Sequence, residues 1–193
     1  MRIGTSLIAA LLLAACGSSA APTEEAPASA PVADDGPAHD PTQLLAVGSV
    51  APDFIAPDET GAERSLAGFR GTTVVLYFYP RDATPGCTVE ACAFRDAWDR
   101  YSSRGVTVLG VSVDDVASHR AFQEEHELPF PLLADIDHAI TDAYGARATS
   151  GDTIYSRRVT YVIGPDGVIT HVFGDVDPGV HADEVLTAIG GAE

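Results

Sequence analysis

Residues 73–113 read TVVLYFYPRDATPGCTVEACAFRDAWDRYSSRGVTVLGVSV. Thr73–Tyr79 and Val106–Val113 are short runs rich in β-branched and aromatic residues, the composition of strands buried on both faces. Between them Val89, Ala93, Ala97 and Tyr101 recur every four residues, the spacing of a helix face. The stretch therefore predicts a strand, a helix and a second strand. Alternation of this kind belongs to the α/β class.

Working outward toward the C-terminus, a second helix fits Val116–Glu127, a short strand Leu132–Ala134, and a third helix follows Asp137. Val159–Ile163 and Val168–Phe173 flank Gly164, Pro165, Asp166 and Gly167, whose Pro and Gly supply the angles of a tight turn, so these strands form a hairpin. A last helix covers about 180–189. Toward the N-terminus, Phe54–Leu66 carries a turn signal at Asp58–Gly61 and reads as an added hairpin. The sum is an α/β sandwich with a mixed central sheet. Residues 44–193 suit one domain and contain no internal repeat.

The N-terminus is of another kind. Met1, Arg2 and the apolar run Leu7–Ala15 end at Cys16, the form of a secretory signal peptide and too short for a membrane span. Leu13, Ala14, Ala15 and Cys16 resemble the lipobox of bacterial lipoproteins, in which the cysteine is lipidated and becomes the mature N-terminus. That resemblance implies residues 1–15 as signal, Cys16 as a membrane anchor, and a cell-envelope location facing the periplasm. From Gly17 to Gln43 there are five prolines, seven alanines, five acidic residues and no aromatic, Lys or Arg. Such a segment buries too little apolar surface to order itself and reads as a tether of roughly 30 Å random-coil span.

The chain has 193 residues, 11 basic and 28 acidic, for a net charge of −17. All the basic residues are Arg. That balance repels a phosphate backbone and excludes a nucleic-acid module. Three cysteines are too few for a disulfide scaffold, and with Cys16 as anchor an even pair remains, Cys87 and Cys92.

Thr84 is a good N-cap and Pro85 suits the first helical position, which places Cys87 third in its helix. There the free N–H groups and the positive helix end favour a thiolate, the reactive form of the residue. Ionisation alone accounts for little: a free thiol is about 3% thiolate at pH 7, so complete ionisation gains roughly thirtyfold. Larger acceleration needs fixed donors aimed at charge developing on the substrate, and the Thr84 hydroxyl, the first-turn N–H groups and a nearby Arg are the candidates. Cys92 lies five residues further on. On an intact helix the two Cα atoms are about 8 to 9 Å apart and face directions differing by about 140°. A disulfide needs less than about 7 Å, so either the pair never bridges or the first turns unwind; unwinding on oxidation is expected.

The stretch PRDATPGCTVEACAFRD resembles the active site of the peroxiredoxins, whose P-x-x-x-T-x-x-C motif is met by Pro80, Thr84 and Cys87. The cysteine spacing is similar to that of the bacterioferritin-comigratory, or PrxQ, subfamily, and the similarity extends through VGSVAPDF and RVTYVIGPDGVITHVF over most of residues 46–189. The resemblance implies a thioredoxin-like fold and thiol-dependent reduction of hydrogen peroxide and organic hydroperoxides. It makes Cys87 the attacking residue, Cys92 the resolving one, Pro80 a shield and Thr84 a hydrogen-bonding partner of the peroxide. It also implies an Arg beside Cys87, for which alignment and strand alternation favour Arg158 over Arg157, and an acidic residue that orients it, matching Glu90. A thioredoxin-like protein is the implied reductant, a monomer the expected state, and no cofactor or metal is required.

A thioredoxin-like thiol–disulfide oxidoreductase would need Cys-x-x-Cys, whereas four residues separate this pair. A redox-sensing lipoprotein would be oxidised once without turnover. The histidines show no short paired spacing with the cysteines that would suggest zinc and read as surface residues. Asp135 and Asp137 read as a turn and helix cap, and Phe94 and Trp98 as core.

Overall fold

The computed structural model describes residues 39–190; the signal, Cys16 and nearly all of the tether fall outside that range. In chain order the elements are β1 (Ile55–Pro57), β2 (Glu63–Ser65), a 3-10 turn (Leu66–Phe69), β3 (Thr73–Phe78), α1 (Pro85–Asp96), α2 (Trp98–Ser102), β4 (Val106–Ser112), α3 (Val116–His126), β5 (Leu132–Ala134), α4 (Ala139–Ala143), β6 (Arg147–Ser150), β7 (Thr153–Ser156), β8 (Val159–Ile163), β9 (Ile169–Phe173) and α5 (His181–Gly190).

Five strands form one mixed sheet in the order β5-β4-β3-β8-β9. β3, β4 and β5 run parallel, while β8 and β9 are antiparallel additions. β3 is central, and Val74 through Phe78 are all buried, which is why that run is apolar without alternation. Its side chains still divide by parity. Val75 and Tyr77 join Phe94, Phe122 and Val185 in a core built with α1, α3 and α5. Val74, Leu76 and Phe78 join Leu66, Ile140, Tyr144 and Tyr161 on the opposite face, under α4 and the N-terminal segment.

The strand–helix–strand unit and both expected hairpins are present. Three features differ from expectation. The helix after the loop is not continuous: Ala97 (φ −89°, ψ −3°) separates α1 from α2. Its inward face is Cys87, Glu90, Ala91 and Phe94, whereas Val89 is 49% exposed. The four-residue spacing of small apolar residues missed this because Phe94 sets the rotation, stacking on Tyr77 at 4.8 Å between ring centroids. Second, β6 and β7 form an unforeseen hairpin across Gly151 (φ +58°), whose strands RATS and TIYS are too short and polar to announce themselves. Third, His119 and His181 are fully buried rather than superficial.

The ordered body also starts before residue 44. Arg147 N–H donates to the Pro41 carbonyl and Arg157 to that of Thr42. The segment passes so close to Gly145 (φ +65°) that a Cβ there would lie 1.7 Å from the Gln43 carbonyl oxygen, so only glycine fits. Among the described residues no helix is long and apolar enough to cross a membrane.

Candidate active site

β3 delivers the chain to the site. Tyr79 makes one more sheet bond, to the Val111 carbonyl at 3.1 Å, and half-buried Pro80 then opens a loop in which Ala83 takes φ +54°. The loop is pinned from beneath by Asp82, 7% exposed. Its carboxylate accepts from the Tyr79 hydroxyl (2.7 Å) and the Ser118 hydroxyl (2.7 Å) and pairs with His119 Nδ1 (2.9 Å). Its N–H donates to Asp114 at 2.9 Å. Burial works to raise the Asp82 carboxyl, but the bond and charge of His119 and the two hydroxyls outweigh it and hold it below the usual range. None of these four partners was singled out from sequence. An Asp two residues past a strand-ending Pro looks like any turn aspartate, and only the approach of α3 gives it a buried role.

Thr84 has the extended backbone of an N-cap (φ −87°, ψ 147°) with Pro85 following it, as expected. Its hydroxyl makes no capping bond, however; it donates to the Arg81 carbonyl at 3.1 Å. Cys87 is the third helical residue and only 2% exposed.

Arg158, in the link between β7 and β8, reaches across the sheet end to this turn. One guanidinium nitrogen lies 3.3 Å from Cys87 Sγ and the other bonds Glu90 Oε2. Gly86 makes room for it: a Cβ there would sit 3.3 Å from Nη2. Burial opposes the Arg158 charge, but Glu90 and the sulfur overcome that and raise its basicity further. Arg157 turns the other way, donating to the Thr42 and Gly145 carbonyls at 2.7 Å each. Glu90 is completely buried and its Oε1 has no partner. Burial pushes its carboxyl up to about 7 despite the opposing pull of Arg158.

Cys87 and Cys92 are both free thiols. Cys92 is half-buried and, with Val89, Asp96, Arg100 and Asp183, lines a surface cavity of about 410 Å³. The structure thus joins Cys87, Arg158 and Glu90 in one contact chain, with Thr84 at the N-cap of the same helix and Pro80 at the start of the preceding loop, and keeps Cys92 apart on the intact helix. Asp135 acts as a helix cap, its carboxylate accepting from Ile140 N–H (2.9 Å) and Thr141 N–H (2.7 Å).

Comparison with known proteins follows the same lines. The AhpC/TSA family pattern matches residues 47–172. The chloroplastic peroxiredoxin Q of Triticum aestivum is 43% identical over 143 residues, 74% of this chain and 65% of the relative. A peroxiredoxin bcp of Coxiella burnetii is 42% identical over 146 residues, 74% of this chain and 97% of the relative. The chain thus spans just under two thirds of the length of the chloroplastic relatives. Among solved structures, peroxidoxin BcpB of Mycobacterium tuberculosis superposes with a TM-score of 0.72 at 31% identity, covering 76% of this chain and 97% of that one. A cysteine-to-serine mutant of Xylella fastidiosa PrxQ gives 0.73 at 28% identity, covering 77% and 98%. The fold is therefore thioredoxin-like, and the chain belongs to the AhpC/TSA family, in its peroxiredoxin Q/bacterioferritin-comigratory branch.

Proposed function

We propose that this protein is a thiol-dependent peroxidase reducing hydrogen peroxide and organic hydroperoxides, with Cys87 as the attacking residue. The observation that carries the reading is the Arg158 guanidinium 3.3 Å from a sulfur set in the first turn of α1. A fixed cation there complements both the thiolate and the negative charge that develops on the departing oxygen. Thr84, with its proton committed to Arg81, keeps lone pairs free to accept from the hydroperoxide O–H. Pro80 closes the strand side of the loop and limits water.

Cys87 thiolate attacks one peroxide oxygen: an S–O bond forms, the O–O bond breaks, and water or alcohol leaves once the departing oxygen is protonated. The sulfenic acid then condenses with the Cys92 thiol, releasing water and leaving a disulfide. A thioredoxin-like dithiol restores the pair by exchange. In the same reading Cys16 carries lipid, so the domain works at the cell envelope, tethered and facing the periplasm, as a monomer. The similarity of the N-terminal sequence to a lipobox supports that part.

Single-turnover peroxide consumption tests the chemistry. Cys87→Ser should abolish it, whereas Cys92→Ser should consume one peroxide per reduced chain and then stop. Steady turnover by the Cys87→Ser protein would overturn the assignment.

A further inference from the structure

Cys87 Sγ and the Glu90 carboxyl both contact Arg158, through its two terminal nitrogens. With Cys87 as the thiolate that the peroxidase reading requires, an ionised Glu90 would set two anions against one cation. The other ionisable neighbours do not correct the balance. Tyr77, on β3, is buried and its phenol is pushed well above its ordinary value by burial and then by Glu90 and Asp82, so it stays neutral. Asp82 is already engaged by His119 Nδ1 and by the Tyr79 and Ser118 hydroxyls. His181, on α5, is driven toward its neutral form chiefly by burial. Arg158 can therefore balance only one of the two charges, in a place where an uncompensated charge is strongly disfavoured.

Geometry selects which one. Glu90 Oε2 is held by Arg158, but Oε1 is buried with no hydrogen-bond partner among the described residues. A carboxylate oxygen left bare at full burial is the costliest acceptor in the site, and a proton on the carboxyl removes the cost. The raised Glu90 titration has the same origin, burial.

Resting on the peroxidase reading, we infer that Glu90 is the proton store of the oxidation step: its carboxyl is protonated while Cys87 is a thiolate, and it ionises when the sulfur is oxidised. The step balances as Cys87 thiolate, hydrogen peroxide and Glu90 carboxylic acid giving Cys87 sulfenic acid, water and Glu90 carboxylate. Sulfur loses two electrons to the peroxide, the O–O bond breaks, and the departing hydroxide gains the proton that Glu90 gives up. The neutral sulfenic acid leaves Arg158 to the new carboxylate, so the buried charge is balanced before and after. When a dithiol reductant later regenerates the thiolate, the proton set free returns to Glu90. Substrate thus sees a site that is charge-neutral on both sides of the reaction, with no proton drawn from bulk water.

Rapid mixing of hydrogen peroxide with reduced Cys92→Ser protein, which halts at the sulfenic acid, tests this in weakly buffered solution with a pH indicator. At about pH 6, below the Glu90 titration, one peroxide should be consumed per chain with no uptake of protons from solution. The same protein carrying Glu90→Gln should consume one peroxide and take up one proton. Equal proton uptake by the two overturns the inference while leaving the peroxidase reading standing; absence of peroxide consumption in the Glu90-containing protein overturns both. Infrared difference spectra of the Cys92→Ser protein provide a readout that needs no Glu90 variant. Oxidation should erase the carbonyl stretch of a protonated carboxyl, and an unchanged spectrum in that region overturns the inference.

Discussion

At the scale of the residue, Glu90 also couples the site to the stability of the domain. Its carboxyl rises from an ordinary value of 4.5 to about 7 in the folded protein, mainly through burial. The native state then binds this proton more tightly than the unfolded chain, so the contribution of Glu90 to stability is complete below about 4.5 and is lost as pH climbs through 7. A shift of that size corresponds to about 3 kcal/mol. Denaturant titrations of native-sequence protein and Glu90→Gln at several pH values should therefore diverge with rising pH, the variant gaining relative stability between acid and neutral conditions. Parallel curves would show that Glu90 is not buried as described. Alignment of the RRVTYVI stretch picks out Arg158 in sequence, although the strand alternation invoked for it does not apply, since Arg157 and Arg158 both lie in the link between β7 and β8. The bare oxygen of Glu90 is not, since it depends on what fails to approach it.

At the scale of the element, α1 carries both a reactive first turn and a firm remainder. Cys87 and Glu90 are held by Arg158, while Phe94, two turns on, is fully buried against Tyr77. With the helix intact, Cys87 and Cys92 face apart, and a disulfide between them requires local unwinding. Oxidation also removes the anionic partner that Arg158 has in the sulfur. Amide exchange over residues 84–95 should therefore quicken when the protein is oxidised, as read by mass spectrometry of reduced and disulfide forms; equally slow exchange in both would rule unwinding out. The loop ahead of the helix is a different matter. Asp82 ties it to α3 through Ser118 and His119, so the cysteine can be released without freeing the loop. This anchoring is invisible in sequence, where Asp82 and His119 lie 37 residues apart.

At the scale of the whole molecule, charge and chain ends govern behaviour. Residues 17–43 carry only acidic charge and residues 44–193 carry 10 basic against 23 acidic residues, which keeps the domain away from polyanions. If Cys16 bears lipid, Cys16→Ala should move the protein from the membrane fraction to the soluble envelope fraction on cell lysis, with peroxide consumption per Cys87 unchanged; retention in the membrane fraction would remove the anchor. The sequence by itself determined the α/β class, the strand–helix–strand unit, both hairpins and the position of Cys87 in its helix. Those follow from local chemistry: β-branched runs, the Thr84-Pro85 helix start and the Gly164–Gly167 turn act over a few residues. Tertiary structure alone decided the rotation of α1, the break at Ala97, the burial of His119 and His181, and the Asp82 anchor. Each arises where distant segments meet. Phe94 must stack on Tyr77, His119 must reach across to Asp82, and Arg158 must balance the sulfur and Glu90 at once. Burial is a property of the surroundings, and it is burial that turns an ordinary glutamate and an ordinary histidine into parts of the site.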